Sequence, residues 1–341
     1  TTPRRNRIRE ISKIPKPLWS VFPLDNYEKY KLAWGVDRGK SIPIMATRGC
    51  PYQCTFCSSP QMWTTRYMMR EPKEVLEEIS YLYHTYDIRN FDFYDLTAII
   101  KRNWILDFCK VLVESGLKIT WQIPAGTRSE AIDYEVATWL YKAGCRNITY
   151  APESGSLATL KTIKKKVNLN NILHSIADSR KAGLNIKLNM IVGFPCETHR
   201  NIWETLLFLI KASWYGAHDA IPAIFSPYPG SQLFNELWAQ GELDPYDDTY
   251  FRNLVFYDSF THNKIYNKQI AARWVRFYQF FSVLLFYTSN YTVRPWRPFR
   301  TISNLVKGKH ESRAEDTFAD LLNKKKVMQV VHSSHNTLQH S

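Results

Sequence analysis

Three cysteines, Cys50, Cys54 and Cys57, fall in a C-x3-C-x2-C pattern directly after a short apolar run. Thiolates are soft ligands suited to zinc or to iron-sulfur clusters. A structural zinc site is normally closed by a fourth Cys or His at short spacing, and the next histidine, His84, lies far along a helix-period segment. The other cysteines are poor fourth ligands. Cys109 sits inside a helical segment, Cys145 precedes a strand, and Cys196 alone falls at the same strand ends as the three. Three cysteines on a cubane leave one iron without a protein ligand, and an open metal position belongs to a reactive site rather than a structural one.

The elements that must position this loop follow from an alternation that begins near residue 42. Short apolar runs at 43–47, 91–95, 119–123, 147–151, 186–192 and 220–225 are separated by helix-period segments at 72–86, 103–114, 133–142, 169–181 and 198–212. Gly116, Gly144 and Gly183 stand where helix C-caps are expected. Such a series predicts the α/β class and a parallel sheet with crossovers of one hand, closing as a partial (β/α)6 TIM-like barrel. Chemistry in that fold sits at the C-terminal strand ends. The unusual residues fall there: Arg48 to Cys50, Asp95, Thr97, Gly126 to Arg128, Glu153 to Gly155, Gly193 to Glu197, and Ser226 to Gly230. No Ser-His-Asp set, phosphate-binding Gly loop or H-E-x-x-H motif is found.

The run from Arg48 through Gly49, Cys50, Pro51, Tyr52, Gln53, Cys54, Thr55 and Phe56 to Cys57 resembles the signature of radical S-adenosylmethionine (SAM) enzymes, and the resemblance extends over roughly residues 10 to 255. Ala151 to Ser156 resembles the segment after the fourth strand that contacts the cofactor's ribose and amino acid portion. Ile191 to Thr198 is similar to the fifth-strand motif against the adenine, and Ser226 to Ser231 to the turn after the sixth strand. The set is most like the cobalamin-binding class of C-methyltransferases and an oxidative cyclase of tetrapyrrole synthesis. Ile14 to Leu24 looks like the linker that follows that class's N-terminal cobalamin domain. Too few residues precede the linker to form that domain, so the expectation is a truncated chain, cobalamin supplied by another domain or chain, or a reaction without it. Two departures are Leu96, where paired acids usually follow the second strand, and Cys196, where Gly is usual.

The resemblance implies a 4Fe-4S cluster on Cys50, Cys54 and Cys57, reductive cleavage of S-adenosylmethionine, and an electron donor such as a reductase, flavodoxin or ferredoxin. Phe56 is expected against the adenine. Glu153 suits ribose hydroxyls or the cofactor's ammonium group, Arg128 a carboxylate, and Gln122 an inward-facing contact at the third strand end. Ser154, Gly193, Phe194 and Glu197 complete the expected cofactor contacts. The expected reaction is cobalamin-linked methyl transfer to carbon in a small-molecule, lipid or natural-product substrate. The alternatives are cobalamin-independent oxidation, cyclisation or rearrangement by the 5′-deoxyadenosyl radical, and a non-catalytic electron carrier or assembly subunit with Cys196 as fourth ligand. Trp63, Tyr67, Tyr94, Trp121, Tyr150 and Tyr228 lie near strand ends, where they suit a large planar substrate or plain core packing.

Of 341 residues, 45% are hydrophobic and 22% charged, which excludes a disordered or low-complexity chain. Residues 1–16 and 294–341 each carry +5 of the net charge of +14, so basic ends rather than a basic face argue against nucleic-acid binding. Six cysteines are too few for a disulfide scaffold, and the polar, basic start lacks a secretory apolar stretch. A reducing, cytoplasmic compartment is expected. The organisation expected is a linker-like segment over 1–40, the partial barrel over 41–243, a helical C-terminal subdomain over 244–322 and a disordered tail over 323–341. In the subdomain, residues 273–291 form an aromatic helical stretch with a polar stripe at Arg276, Gln279 and Ser282. Its apolar part, about 21 Å long, is short of a bilayer core, so a buried helix is expected rather than an interfacial anchor or a groove for a greasy substrate.

Overall fold

The computed structural model describes residues 7–30, 35–255 and 264–322; the tail expected over 323–341 lies outside the described residues. After helix α1 (Leu24–Lys29) the chain enters β1 (Ser41–Ile44), then β2 (Thr47–Arg48), α2 (Ser59–Trp63) and β3 (Met68–Met69). Five further units follow: α3 (Pro72–Tyr86) and β4 (Asn90–Phe93), α4 (Arg102–Glu114) and β5 (Thr120–Thr127), α5 (Tyr134–Lys142) and β6 (Cys145–Glu153). Then come α6 (Leu157–Thr162), α7 (Leu169–Lys181) and β7 (Asn185–Val192), and α8 (His199–Tyr215) and β8 (Asp219–Ile224). The chain ends in α9 (Gln232–Ala239), α10 (Asp248–Val255), α11 (Ala272–Val293), α12 (Arg297–Val306) and α13 (Arg313–Leu322).

Six strands form one parallel sheet in the order β1-β4-β5-β6-β7-β8, so the expected partial barrel is present and remains open between β1 and β8. The helix-facing side is the packed one. Along β7, Ile186, Leu188, Met190 and Val192 are buried, while Asn185, Lys187, Asn189 and Ile191 face the lumen half-buried. Trp121 of β5 anchors the core, packing on Phe93 and Phe108 with its indole N–H on the Ala143 carbonyl at 2.8 Å.

Three expectations are corrected. The third strand continues to Thr127 instead of stopping at Ile123, because the ladder absorbs Pro124 and Gly126 in a register shift between Ile123 and Thr127. The small antiparallel pair β2·β3 escapes sequence reading, since two residues per strand carry no periodicity. The helix α11, expected to be buried, is half-exposed: Gln279 and Ser282 of the polar stripe are buried together with Val275, Tyr278 and Phe286, while Trp274, Phe277 and Leu284 are exposed. The reason is the free edge of β8, whose backbone has no further strand. Gln279 donates to the Pro222 carbonyl of β8 at 3.2 Å, and Asn290 donates at 2.7 Å to the carbonyl of Ala217, in the turn between α8 and β8.

Because Trp121 is almost wholly buried among aromatic rings, Trp121→Ala is expected to lower stability by about 3 to 5 kcal/mol, read as an earlier urea midpoint.

Candidate active site

The cysteine loop leaves the sheet after β1 and is tied down at both ends. Asp95, just beyond β4, accepts from the backbone N–H groups of Ala46 and Thr47 and from the Thr47 hydroxyl. Burial pushes its carboxyl up to about 6. Gly49 turns the chain at a φ of 87°, and a Cβ there would meet the Arg66 carbonyl oxygen at 2.0 Å. Within the loop, Thr55 donates its N–H to Ile163 at 3.0 Å and accepts from Leu233 N–H at 2.9 Å, which clamps it between the ends of α6 and α9. Arg128 stacks its guanidinium 4.0 Å above the Tyr52 ring, and Arg48 lies 4.7 Å above Trp63.

Cys50, Cys54 and Cys57 are free thiols, each half-buried. Cys57 Sγ accepts the Ser59 N–H at 3.4 Å, and Cys50 Sγ accepts the Thr97 hydroxyl at 3.7 Å. Burial pushes Cys54 up to about 11 and raises Cys57, with the neighbouring thiols adding to the effect and Lys165 opposing it. Among the described residues no three His, Cys, Asp or Glu converge on one ion position. Three thiols on one loop, two of them with N–H or O–H partners and with an ammonium nearby, are of the donor type that an iron-sulfur cluster takes. A cavity of about 740 Å³ opens beside Cys54 and Cys57, walled by Pro60, Gln61, Lys164 and Gln232. Burial and Glu197 push the Cys196 thiol up to about 11. Cys109 and Cys145 are buried in the core.

Glu153 lies beside the cysteine loop. It ends β6 at a φ of 69°, a left-handed backbone that a non-glycine residue adopts only under constraint from its surroundings. Its carboxylate pairs with Lys165 at 2.9 Å, and Lys165 lies 5.9 Å from the Phe56 ring. Burial works to lower the Lys165 ammonium, but Glu153 and Cys54 outweigh it and the balance is upward. Lys165 is the residue that sequence reasoning missed. It is one of three consecutive lysines, and only the fold separates it from the exposed Lys164 and Lys166.

Phe56 and Phe194 pack on one another with ring centres 5.6 Å apart, and Phe194 continues onto Phe225 at 5.2 Å. These rings form an aromatic shelf between the cysteine loop and the ends of β7 and β8. Gly193 sits at a φ of 84°, with Val275 of α11 2.7 Å from where a Cβ would stand.

Several expected contacts are instead engaged in holding the scaffold. Glu197 is fully buried and accepts the N–H groups of Gly193 at 2.7 Å and Phe194 at 3.1 Å, so it staples the loop after β7. Ser154 is buried, bonding the Thr205 hydroxyl at 3.0 Å and the Ser156 N–H at 3.1 Å. Arg128 pairs with Glu130 at 2.7 Å and donates to the Lys166 carbonyl. Gln122 lies near the start of β5 rather than at its end. Its amide closes on both backbone groups of Val36 and on Asp92, which ties the N-terminal segment to the barrel floor. Trp121 and Tyr150 point to the helices, so strand alternation removes them from the lumen. Tyr94 lines a cavity instead, and Tyr228 is exposed.

Residues 44–209 match the model of the Radical SAM superfamily. The chain is similar to an uncharacterized methyltransferase of Pyrococcus horikoshii, with 29% identity over 68% of this chain and 48% of the relative. It is also similar to the anaerobic magnesium-protoporphyrin IX monomethyl ester cyclase of Cereibacter sphaeroides, with 30% identity over 70% of this chain and 38% of the relative. The chain thus spans less than half the length of these curated relatives. Among solved structures it shares a fold with the radical S-adenosylmethionine methyltransferase TsrM of Kitasatospora setae, bound to tryptophan and a SAM analogue. The TM-score is 0.52 at 18% identity, over 69% of this chain and 42% of that one.

Gly49→Ala is expected to lower iron uptake on reconstitution several-fold and to cost at least about 1 to 2 kcal/mol of stability, with the far-ultraviolet circular dichroism retained. A second expectation concerns pH. Burial pushes the Glu197 carboxyl up to about 7, so the folded state holds this proton more tightly than the unfolded chain. Its contribution to stability is complete below the unfolded value near 4.3 and is lost as pH rises through about 7, on the order of 3 kcal/mol. Thermal midpoints measured across that range should fall for the intact chain and flatten for Glu197→Gln.

Proposed function

We propose, from the premise that this chain belongs to the radical SAM superfamily, that it is a C-methyltransferase that holds a 4Fe-4S cluster on Cys50, Cys54 and Cys57 and takes S-adenosylmethionine. Its substrate is a small molecule, lipid or natural product, with cobalamin from another domain or chain and electrons from a reductase, flavodoxin or ferredoxin in a reducing cytoplasm. The carrying observation is the Glu153–Lys165 pair set beside the cysteine loop. When bound and reduced, the cluster supplies the electron that cleaves the sulfonium C–S bond.

The chain's residues bind, orient and exclude water. Glu153 presents a carboxylate to an ammonium or to ribose hydroxyls, and Lys165 presents an ammonium to a carboxylate. Together they complement the zwitterionic amino acid end of S-adenosylmethionine. Lys165 also offsets the negative charge of nearby thiolates. Phe56, half-buried and backed by the buried rings of Phe194 and Phe225, gives an apolar base a dry surface. Arg128 is a positioning residue, acting through Tyr52 on the loop between Cys50 and Cys54. Gly126 and Ala151 leave room in the lumen beneath this rim, a Cβ on the first lying 3.3 Å from that of the second.

The similarity to the cyclase favours a second reading, in which the 5′-deoxyadenosyl radical oxidises, cyclises or rearranges the substrate without methylation. Products separate the two. After anaerobic reconstitution and reduction, the methyltransferase is expected to form S-adenosylhomocysteine only with cobalamin, and the second reading 5′-deoxyadenosine without it. Cys54→Ala should form neither, at least about a thousandfold below the intact chain. Lys165→Met should raise the KM for S-adenosylmethionine while the cluster's absorbance is kept. An electron paramagnetic resonance spectrum unmoved by S-adenosylmethionine would overturn both readings.

A further inference from the structure

At the end of the sheet opposite the cysteine loop, the starts of β7 and β8 meet the C-terminal helices around a cavity of about 270 Å³. Arg180 of α7, Arg294 just after α11, and Arg297 and Arg300 of α12 all line it. Of the four, Arg300 alone pairs with a carboxylate among the described residues, Glu311 at 2.8 Å. Arg294, 3% exposed, donates to the carbonyls of Ser213 and Trp214. Arg297 donates to those of Ala217 and His218 and to the Asn290 side chain. These acceptors are neutral, so they fix the two guanidiniums without balancing their charge. The carboxylates nearby are committed: Asp219 accepts from the Tyr287 hydroxyl and the Ala314 N–H, and Glu315 from Asn304 and the Glu311 N–H. Arg180 lays its stem over Gly216, where a Cβ would meet its Cδ at 2.2 Å.

The gathered charge is felt inside the cavity. Burial and the neighbouring arginines push Arg294 down to about 10 and lower Arg297. Burial and the same four arginines hold His218 well below the usual imidazole range. Its Nδ1 accepts the Ile186 N–H at 3.2 Å, so the proton of the neutral ring sits on Nε2 as one more donor. Guanidiniums brought together from separate elements, with no carboxylate to balance them, fit an anion of more than one charge, and their planar forks match phosphate oxygens. Tyr291, Trp296 and Phe318 line the same cavity and offer ring faces to a planar base. Its volume is near the lower end of small-ligand sites, roughly 300 to 1,000 Å³, which suits one phosphorylated ring system rather than a dinucleotide.

We propose that this cavity binds a nucleoside monophosphate, with Arg180 and Arg297 on the phosphate and Tyr291 and Trp296 beside the base. Such a ligand joins α7 to α12 across the floor of the barrel and so stabilises the folded chain. The cavity lies at the other end of the strands from the cysteine loop, so the proposal holds whichever radical reaction the site performs.

Calorimetric titration of the reconstituted chain with adenosine and cytidine monophosphates, adenosine and inorganic phosphate tests it. At least one nucleotide should bind, at least about tenfold more tightly than adenosine or phosphate, and should raise the thermal midpoint. Arg180→Met keeps the stem over Gly216 and removes the charge, and it should weaken that binding at least about tenfold. Arg273→Met, an exposed cation at the far end of α11, should leave the binding unchanged, and both variants should keep the circular dichroism and cluster absorbance of the intact chain. Absence of binding by both nucleotides would overturn the proposal, as would undiminished binding by Arg180→Met. Equal affinity for inorganic phosphate would overturn the assignment to a nucleotide. Displacement by S-adenosylmethionine would place the ligand at the cysteine end instead and overturn the site.

Discussion

An open parallel sheet has two edges, and the rest of this structure is organised around satisfying them. Strands β1 and β8 do not pair, so their outer backbone groups need partners from elsewhere in the chain. At β8 the Pro222 carbonyl takes the Gln279 amide of α11, and the same side of that helix buries Val275, Tyr278 and Phe286. At the floor of the barrel Gln122 holds Val36, fastening the segment that enters the sheet before β1.

The same economy runs through the site. The chemically distinctive residues are a minority of those that the strand ends bring together. Asp95 anchors the root of the cysteine loop, Arg128 steadies its middle, and Glu197 and Ser154 fix the two loops that face it. What remains available is the three thiols, the Glu153–Lys165 pair and the ring of Phe56, backed by the buried Phe194. A site that carries reactive intermediates gains from such a division, because rigid polar support allows the exposed groups to be few and the surroundings to be dry.

Buried carboxyls recur in this support. Asp92 and Asp95 are pushed up to about 6 and Glu197 to about 7, each chiefly by burial. All three accept hydrogen bonds from backbone or amide groups that must be kept away from water. Each of the three therefore gives up stability as pH rises through its own raised value.

The sequence by itself determined the strand and helix series, the cysteine loop and its place at the strand ends, because periodicity and a fixed C-x3-C-x2-C spacing are local properties. It also placed Cys109 and Cys145 away from the site. Only the tertiary structure decided which polar residues are free, since that depends on partners far apart in the chain, such as Ser154 with Thr205 or Gln122 with Val36. Lys165 was hidden among its neighbours for the same reason: three lysines in a row are alike until one is folded against Glu153. The direction of α11 was likewise undetermined. A helical pattern shows that two faces differ, but which one turns inward depends on what waits there, and here it is the unpaired edge of a sheet.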